Sequence, residues 1–458
     1  MYQFRKCVMG IAPTRRDVFR ANRKDELLER IKEMAQKFDV ELVDIEDVVE
    51  NGLLIKNSDV PAVAQKFSQK GVDCVFVPLA NFGQEESLAK LCAAVGKPVL
   101  LWGPRDPAPK GVVSQQEDRL YDVQCGLFAA GKALLSYNVP FTYIENCWLD
   151  SPVLEKGFED FVRTVCAAKA VKGQRIAQLS VRPAQFLSVR ANEQELLEKF
   201  GIEVVPFETT AILASIRDMA KNQAVLDEEI TQWKKYLDFS QVPVEQINTM
   251  AATVVGIRRL ADDSGCVAAA GECWRFIRSE LKISACFPWG ALTAEGLPTT
   301  CETDLLGAIG SSMVAGALRG DSVPFFADIT VRHPTNDNAE LLWHCGPFPY
   351  TLARPSSNPC VIDCKGQFEL KGGDLTLLRW GLSKGRYTVF ADECHTTDGP
   401  KTNGTYVWIE ADDWPKWERK FVTGPYIHHV TGAHGKFRAI FHEALKYIGE
   451  LEPDAADL

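Results

Sequence analysis

Short apolar runs alternate with helix-period stretches through the first third of the chain. KCVMGI, VELVD, DCVFVPL, KPVLLW and FTYIE carry the β-branched and aromatic residues of buried strands. Between them, Lys24 to Phe38, Ser58 to Gln69, Gln84 to Val95 and Tyr121 to Tyr137 repeat apolar positions at helical spacing. This alternation predicts right-handed βαβ units around a parallel sheet. A second such unit begins near Gly173. RIAQLSV and GIEVVPF read as strands, Thr210 to Lys235 and Val244 to Asp263 as helices, GCVAAAGE as a further strand and CWRFIRSEL as a helix. After Gly346 the period drops to two. Asn358 to Trp417 has KGG, SKGR and NG turns and no helix-length pattern, as in an antiparallel barrel or sandwich. An amphipathic helix, Gly435 to Leu451, follows, and the acidic EPDAADL reads as a loose tail. The expected architecture is α/β: two doubly wound parallel-sheet domains, 1–170 and 171–345, then an antiparallel β-barrel domain, 346–458, with a terminal helix.

A length of 458 residues is ample for two or three cores. The formal charge of −10, with no basic run, speaks against nucleic acid or an anionic membrane surface as partner. MYQFRKCVMGIAPTRR has no uninterrupted apolar stretch and nothing further on reaches membrane-spanning length, so a cytoplasmic protein is expected. The 14 cysteines are scattered without a CxxC pair, which suits buried reduced thiols. No GxGxxG or Walker signature stands in phosphate-binding context, so no nucleotide cofactor is expected.

The candidate chemistry lies between Cys286 and His344. Glu302 precedes a Gly/Ala-rich helical pattern whose first turn Thr303 or Asp304 can cap, Asp328 closes the extended run Val323 to Ile329, and His344 follows on a third short strand, LLWHC. Two carboxylates and an imidazole suit Mn²⁺ or Mg²⁺. Taken singly, the same residues also fit a capping box, a solvated strand end and a half-buried ring. All seven histidines fall in the last third, four of them in YIHHVTGAHGKFRAIFHEAL, a ready ligand supply. In the first domain, Asn81, Phe82 and Gln84 follow a strand in PLANFGQEES, where they can bind sugar hydroxyls or simply cap a helix. Arg15, Arg16 and Arg20 follow another, either as solvated surface or as a cradle for an anionic substituent. Tyr350 and Trp380 are candidate stacking faces for a sugar, although aromatics at such positions also build cores.

CETDLLGA, FFADI, WHCGPF and TGAHG, in that order, resemble the L-fucose isomerase and L-arabinose isomerase superfamily of aldose–ketose isomerases. The resemblance implies that Glu302 and Asp328 are both metal ligands and the proton-transferring pair. It implies His434, in AHG, as the histidine completing the metal site. His344 resembles the metal histidine of the arabinose branch and stands as a fourth contact. The resemblance further implies Mn²⁺, or another divalent cation such as Mg²⁺ or Co²⁺, and proton transfer through an enediol of a free sugar. L-fucose, D-arabinose and L-arabinose fit, and the arginines keep an anionic, sulfonated hexose in play. The family's trimers and hexamers imply a homo-oligomer in which the first domain of one subunit covers its neighbour's site. Substrate-contacting residues expected there are Arg16, Asn81 and Gln84, with Tyr350 and Trp380 lining the pocket. Two other readings remain open: a metal-free hydrolase, for which no nucleophile elbow is present, and a non-catalytic two-lobed sugar-binding protein, which leaves the histidine-rich C-terminal region unexplained.

Overall fold

Strand and helix alternate in the structure as the apolar runs dictate. The computed structural model describes residues 7–19, 22–107 and 121–458, so Arg20 lies outside the described residues. One compact unit ends at Cys166 and a second runs from Ala167 to Leu458.

The first unit contains β1 (Cys7–Ile11), α1 (Lys24–Lys37), β2 (Val40–Val43), α2 (Val60–Lys70), β3 (Cys74–Pro78), α3 (Glu85–Val95), β4 (Val99–Trp102), α4 (Val123–Ser136) and β5 (Phe141–Tyr143), and α5 (Pro152–Lys169) leads out of it. The helix α1 buries Leu27, Leu28, Ile31 and Met34, one face of a 3.6-residue period, and carries Asp25 and Glu26 in the first turn where they favour the helix dipole. All five strands are parallel, in the order β2-β1-β3-β4-β5. Their order reverses between β1 and β3, and in doubly wound sheets the ligand crevice opens beyond the carboxyl ends of strands at that switch. The loops with Arg16 and with Asn81 leave from those two strands.

The second unit opens with β6 (Arg175–Gln178), α6 (Glu193–Phe200), β7 (Glu203–Pro206), α7 (Thr209–Met219), α8 (Gln223–Trp233), α9 (Val244–Asp263), β8 (Cys266–Ala270), α10 (Phe276–Leu281), α11 (Cys286–Ala294), β9 (Thr299–Thr300) and α12 (Leu305–Leu318). Its four parallel strands run β7-β6-β8-β9. The long helix expected over Thr210 to Lys235 is two, α7 and α8, because the chain turns at Ala220–Asn222 before a new helix starts.

A nine-stranded, mostly antiparallel sheet completes this unit: β10 (Phe325–Arg332), β11 (Ala339–His344), β12 (Cys360–Ile362), β13 (Lys365–Glu369), β14 (Asp374–Ser383), β15 (Arg386–Thr397), β16 (Thr405–Glu410), β17 (His429–His434) and β18 (Leu451–Asp454), with helices α13 (Trp414–Thr423) and α14 (Arg438–Ile448). Because β15 also pairs with β16, the strands β16-β11-β10-β17-β14-β15 close a ring of pairings. The sheet begins at Phe325, not after Gly346, so Asp328 and His344 sit on antiparallel strands and Asp328 lies inside its strand rather than at its end. One apolar cluster joins Ala177, Ile257 and Trp289 of the parallel part to Phe326, Leu377 and Ile409 of the antiparallel part.

Two local expectations need correction. The tail is not loose, since β18 pairs in parallel with β15 and Asp454 accepts hydrogen bonds from Tyr426 Oη at 2.8 Å and Lys420 Nζ at 2.6 Å. A helix, α13, interrupts the strand-rich region: Asp413 accepts from the Lys416 N–H and Pro415 occupies the first turn, a combined start signal that the neighbouring turns obscure.

Candidate active site

The helix α12, LLGAIGSSMVAGAL, is buried along its whole length and packs on β8 and β9 on one side and on β14 and β17 on the other. A helix apolar all round belongs in an interior. Its start carries the acidic segment. Asp304 is the N-cap, accepting from the Gly307 N–H at 3.0 Å, while Glu302 (φ 56°) and Thr303 (φ 59°) both adopt the left-handed conformation. Two successive non-glycine residues there store backbone strain, which persists where surroundings fix them. Thr303 Oγ1 lies 2.8 Å from Ser180 Oγ, which accepts from the Glu272 N–H at 2.9 Å, so the loops after β6, β8 and β9 are tied together. Burial pushes the Glu272 carboxyl up.

Strand register brings the remaining groups. Asp328 of β10 stands directly opposite His429 of β17, so their side chains share a face as a cross-strand pair. His429 Nε2 is 3.1 Å from Glu302 Oε2 and 3.6 Å from Asp328 Oδ1, and His344 Nε2 is 4.0 Å from the same Glu302 oxygen. Glu302, His344 and His429 are buried. These four atoms, Glu302 Oε2, Asp328 Oδ1, His344 Nε2 and His429 Nε2, are all shielded from solvent and none has a well-directed hydrogen-bond partner.

Behind them lies a layer of hydrogen-bonded ion pairs. His429 Nδ1 donates to Asp304 Oδ2 at 2.8 Å, which fixes the tautomer and leaves Nε2 to face the two outer carboxylates. Arg379 of β14 forks onto both Asp304 oxygens, with Nη2 donating to Oδ1 at 3.2 Å. Burial alone would raise the Asp304 carboxyl, but the Arg379 guanidinium and His429 outweigh it and hold the group well below the usual carboxylate range. For His429, burial opposes the charged ring, yet Asp304 and Glu302 overcome it and push the imidazole up to about 9. Glu302 is likewise raised by burial but more strongly lowered by His429 and His344, with a net downward shift.

Of the residues expected from sequence, Glu302, Asp328 and His344 converge, whereas His434 does not join them. It lies five residues further along β17, roughly 17 Å at strand rise, opposite Leu375, and its Nε2 contacts the Lys371 carbonyl at 2.9 Å. The histidine that meets the carboxylates is His429, with exposed His428 beside it. Tyr350 and Trp380 are packing residues: Trp380 is 0% exposed and meets Phe200 edge-on, and Tyr350 packs near Phe287 with its hydroxyl toward Glu295 at 3.4 Å. In the first unit Arg16, Asn81 and Gln84 do come together. Asn81 Oδ1 accepts from the N–H groups of Arg16 and Gly83 at 2.8 and 3.2 Å, and the Gln84 N–H donates to Thr14 at 3.0 Å. Asn81 is therefore a loop clamp, while the Arg16 guanidinium sits 3.9 Å over the Phe82 ring and pairs with Glu85.

The fucose/sulfoquinovose isomerase N-terminal domain family matches residues 10–173. The sulfoquinovose isomerase of Priestia megaterium (strain ATCC 12872 / QMB1551) is 23% identical over 354 residues, 74% of this chain and 75% of that protein. The sulfoquinovose isomerase of Alkalicoccus urumqiensis is 24% identical over 372 residues, 78% of this chain and 80% of its own. A periplasmic solute-binding protein from Actinobacillus succinogenes 130z with bound D-allose aligns with 60% of this chain and 80% of its own at 10% identity, with a TM-score of 0.17 that carries no weight. The class these relatives and this site define is that of the aldose–ketose isomerases. Within that class, the chain is similar to the fucose isomerase-like proteins, through the family match over residues 10–173 and through relatives 23–24% identical to it.

Proposed function

We propose that the protein interconverts a free aldose and its ketose with a divalent cation, Mn²⁺ in the first instance, held by Glu302, Asp328 and His429, and with His344 as a fourth contact. The observation that carries this reading is the convergence of four solvent-shielded polar atoms, two carboxylate oxygens and two imidazole nitrogens, that meet one another in ion-pair contacts but make no well-directed hydrogen bond. Buried groups left without directed hydrogen bonds call for a bound partner, and hard oxygen donors with imidazole fit Mn²⁺, Mg²⁺ or Co²⁺. A bound cation would supply positive charge for the oxygens of the reacting carbonyl and its neighbouring hydroxyl. Glu302 and Asp328 handle the protons: one removes the proton from C2 to give the enediol and the other delivers one at C1. Asp304 and Arg379 hold His429 so that its Nε2 stays aimed at both carboxylates.

Chelation should abolish turnover and Mn²⁺ restore it. Full turnover in a metal-stripped preparation would dismiss the mechanism. Since a cation must displace the proton from His429 Nε2, cation affinity should rise with pH up to about 9 and level off beyond it.

For substrate, the reading favours a sugar carrying an anionic substituent, because the two curated relatives act on sulfoquinovose and Arg15 and Arg16 stand at the carboxyl end of β1. A panel of neutral aldoses (L-fucose, D-arabinose, L-arabinose) and sulfonated hexoses, followed by ketose formation with Mn²⁺, should give the highest kcat/KM for a sulfonated one. A neutral pentose or deoxyhexose preferred by tenfold or more would reverse the assignment while leaving the isomerase reading intact.

We also propose a homo-oligomer, trimer or hexamer, in which the Arg16–Gln84 loops of one subunit serve the site of its neighbour. Mixing Arg16→Ala subunits with Glu302→Gln subunits should then yield more activity than either parent alone. Verified mixed oligomers without such complementation, or a monomer in sedimentation, would eliminate this arrangement.

A further inference from the structure

Apart from the isomerase residues, the second unit gathers sulfur. Cys273 follows β8, Cys286 is the first residue of α11, and Cys345 follows β11, so three separate elements contribute. Cys286 Sγ is 3.5 Å from Cys273 Sγ and 3.2 Å from Cys345 Sγ, and all three sulfurs lie within 4.8 Å of one another. Cys301 lies beside this cluster, its sulfur grouped instead with Glu302 and His344. Buried cysteines ordinarily serve as small hydrophobes, dispersed among aliphatic neighbours. Three converging on one point are a different arrangement.

We propose that Cys273, Cys286 and Cys345 form a binding site for a soft d¹⁰ cation, Zn²⁺ or Cu⁺, distinct in chemistry from the oxygen and imidazole cluster around Glu302. Thiolates select such ions, whereas carboxylates favour hard ones. With Zn–S bonds of about 2.3 Å, sulfurs around a tetrahedral ion are about 3.8 Å apart, so the observed spacings need open by only a few tenths of an ångström. Each thiol releases its proton to solvent as its sulfur takes up the cation. Two features favour the thiolate form at Cys286: it occupies the N-terminus of the nine-residue helix α11, and Ser284 Oγ, a potential donor, lies 2.9 Å from its sulfur. A fourth ligand, solvent or the neighbouring Cys301, would complete the coordination. Cys345 adjoins the isomerase residues, its Sγ 3.4 Å from His344 Nδ1, so an ion bound by the thiols is felt at His344.

The test uses Cd²⁺ as the probe on the reduced, full-length protein in excess Mn²⁺, so that the oxygen-rich site is filled. One equivalent of Cd²⁺ should produce a thiolate-to-metal charge-transfer band, X-ray absorption should count three or four sulfur neighbours, and the three thiols should become protected from a thiol reagent. Cys286→Ser should lose the band and Cys92→Ser, a buried thiol in the first unit, should keep it. If Cys286→Ser fails to fold, Cys345→Ser, at the partly exposed member, serves the same purpose. Absence of the band in the parent, a band that survives both Cys273→Ser and Cys345→Ser, or isolation of the protein with a Cys286–Cys345 disulfide would each overturn the proposal. The readout is sulfur ligation, so an inactive isomerase with an intact band, or the reverse, separates this proposal from the functional one.

Discussion

Glu302→Gln and Asp328→Asn are each expected to lower turnover by about 10²-fold or more, the range for losing a positioned acid or base. Both substitutions keep the shape and remove the charge. Glu302 sits deeper, its side chain 8% exposed against 19% for Asp328, and it lies closer to His429 Nε2, at 3.1 Å against 3.6 Å. Glu302→Gln should therefore also weaken cation binding more than Asp328→Asn does. Metal content must accordingly be measured beside rate. Near-parental kcat with the metal bound in either variant would strip that residue of its role in proton transfer.

Arg379→Met is expected to destabilise the fold by about 3–5 kcal/mol, the cost of breaking a buried ion pair from one side. Arg379 and Asp304 are 3% and 0% exposed, and the substitution leaves the Asp304 carboxylate in the interior with only His429 and the Gly307 N–H to meet it. The companion change Asp304→Asn leaves the buried Arg379 cation without its carboxylate, so it should destabilise as well, and it should lower cation affinity by about 10–100-fold, the effect of losing the carboxylate that orients a ligating imidazole. Because the Asp304 carboxyl is held low, the pair's contribution persists above the ordinary carboxylate pKa of about 3.9 and fades as the pH falls through and below it. A urea midpoint for Arg379→Met unchanged from the parent, or unaltered Mn²⁺ affinity for Asp304→Asn, would show that this layer does not act as described.

The parallel sheets and most helix positions were legible because strand–helix alternation and apolar spacing record which face of an element is buried. Val244–Asp263 and Lys24–Lys37 are read from periodicity almost to the residue. Glu302, Asp328 and His344 were legible from local motifs. His429 was in view within YIHHVTGAHG, but a motif cannot say which histidine of a strand shares a face with Asp328. That depends on the β10–β17 register, a pairing between segments a hundred residues apart. Arg379 gave no signal at all, since a lone arginine in an apolar strand acquires meaning only through the carboxylate it meets. The sheet assignment of β10 and β11 failed for the same reason: strand type is legible locally, strand partner is not.

Apart from Ser311 and Ser312, α12 is built of apolar residues and glycine, which has a consequence for biosynthesis. A nascent chain completes this helix well before the β14 and β17 strands that cover it have been made. At ordinary elongation rates the wait is on the order of ten seconds, during which a helix with no polar face must be shielded. Chains interrupted between Leu318 and His429 should thus be retained by chaperones or precipitate, and ribosome-stalled intermediates of that length mark where the cell's quality control meets this protein.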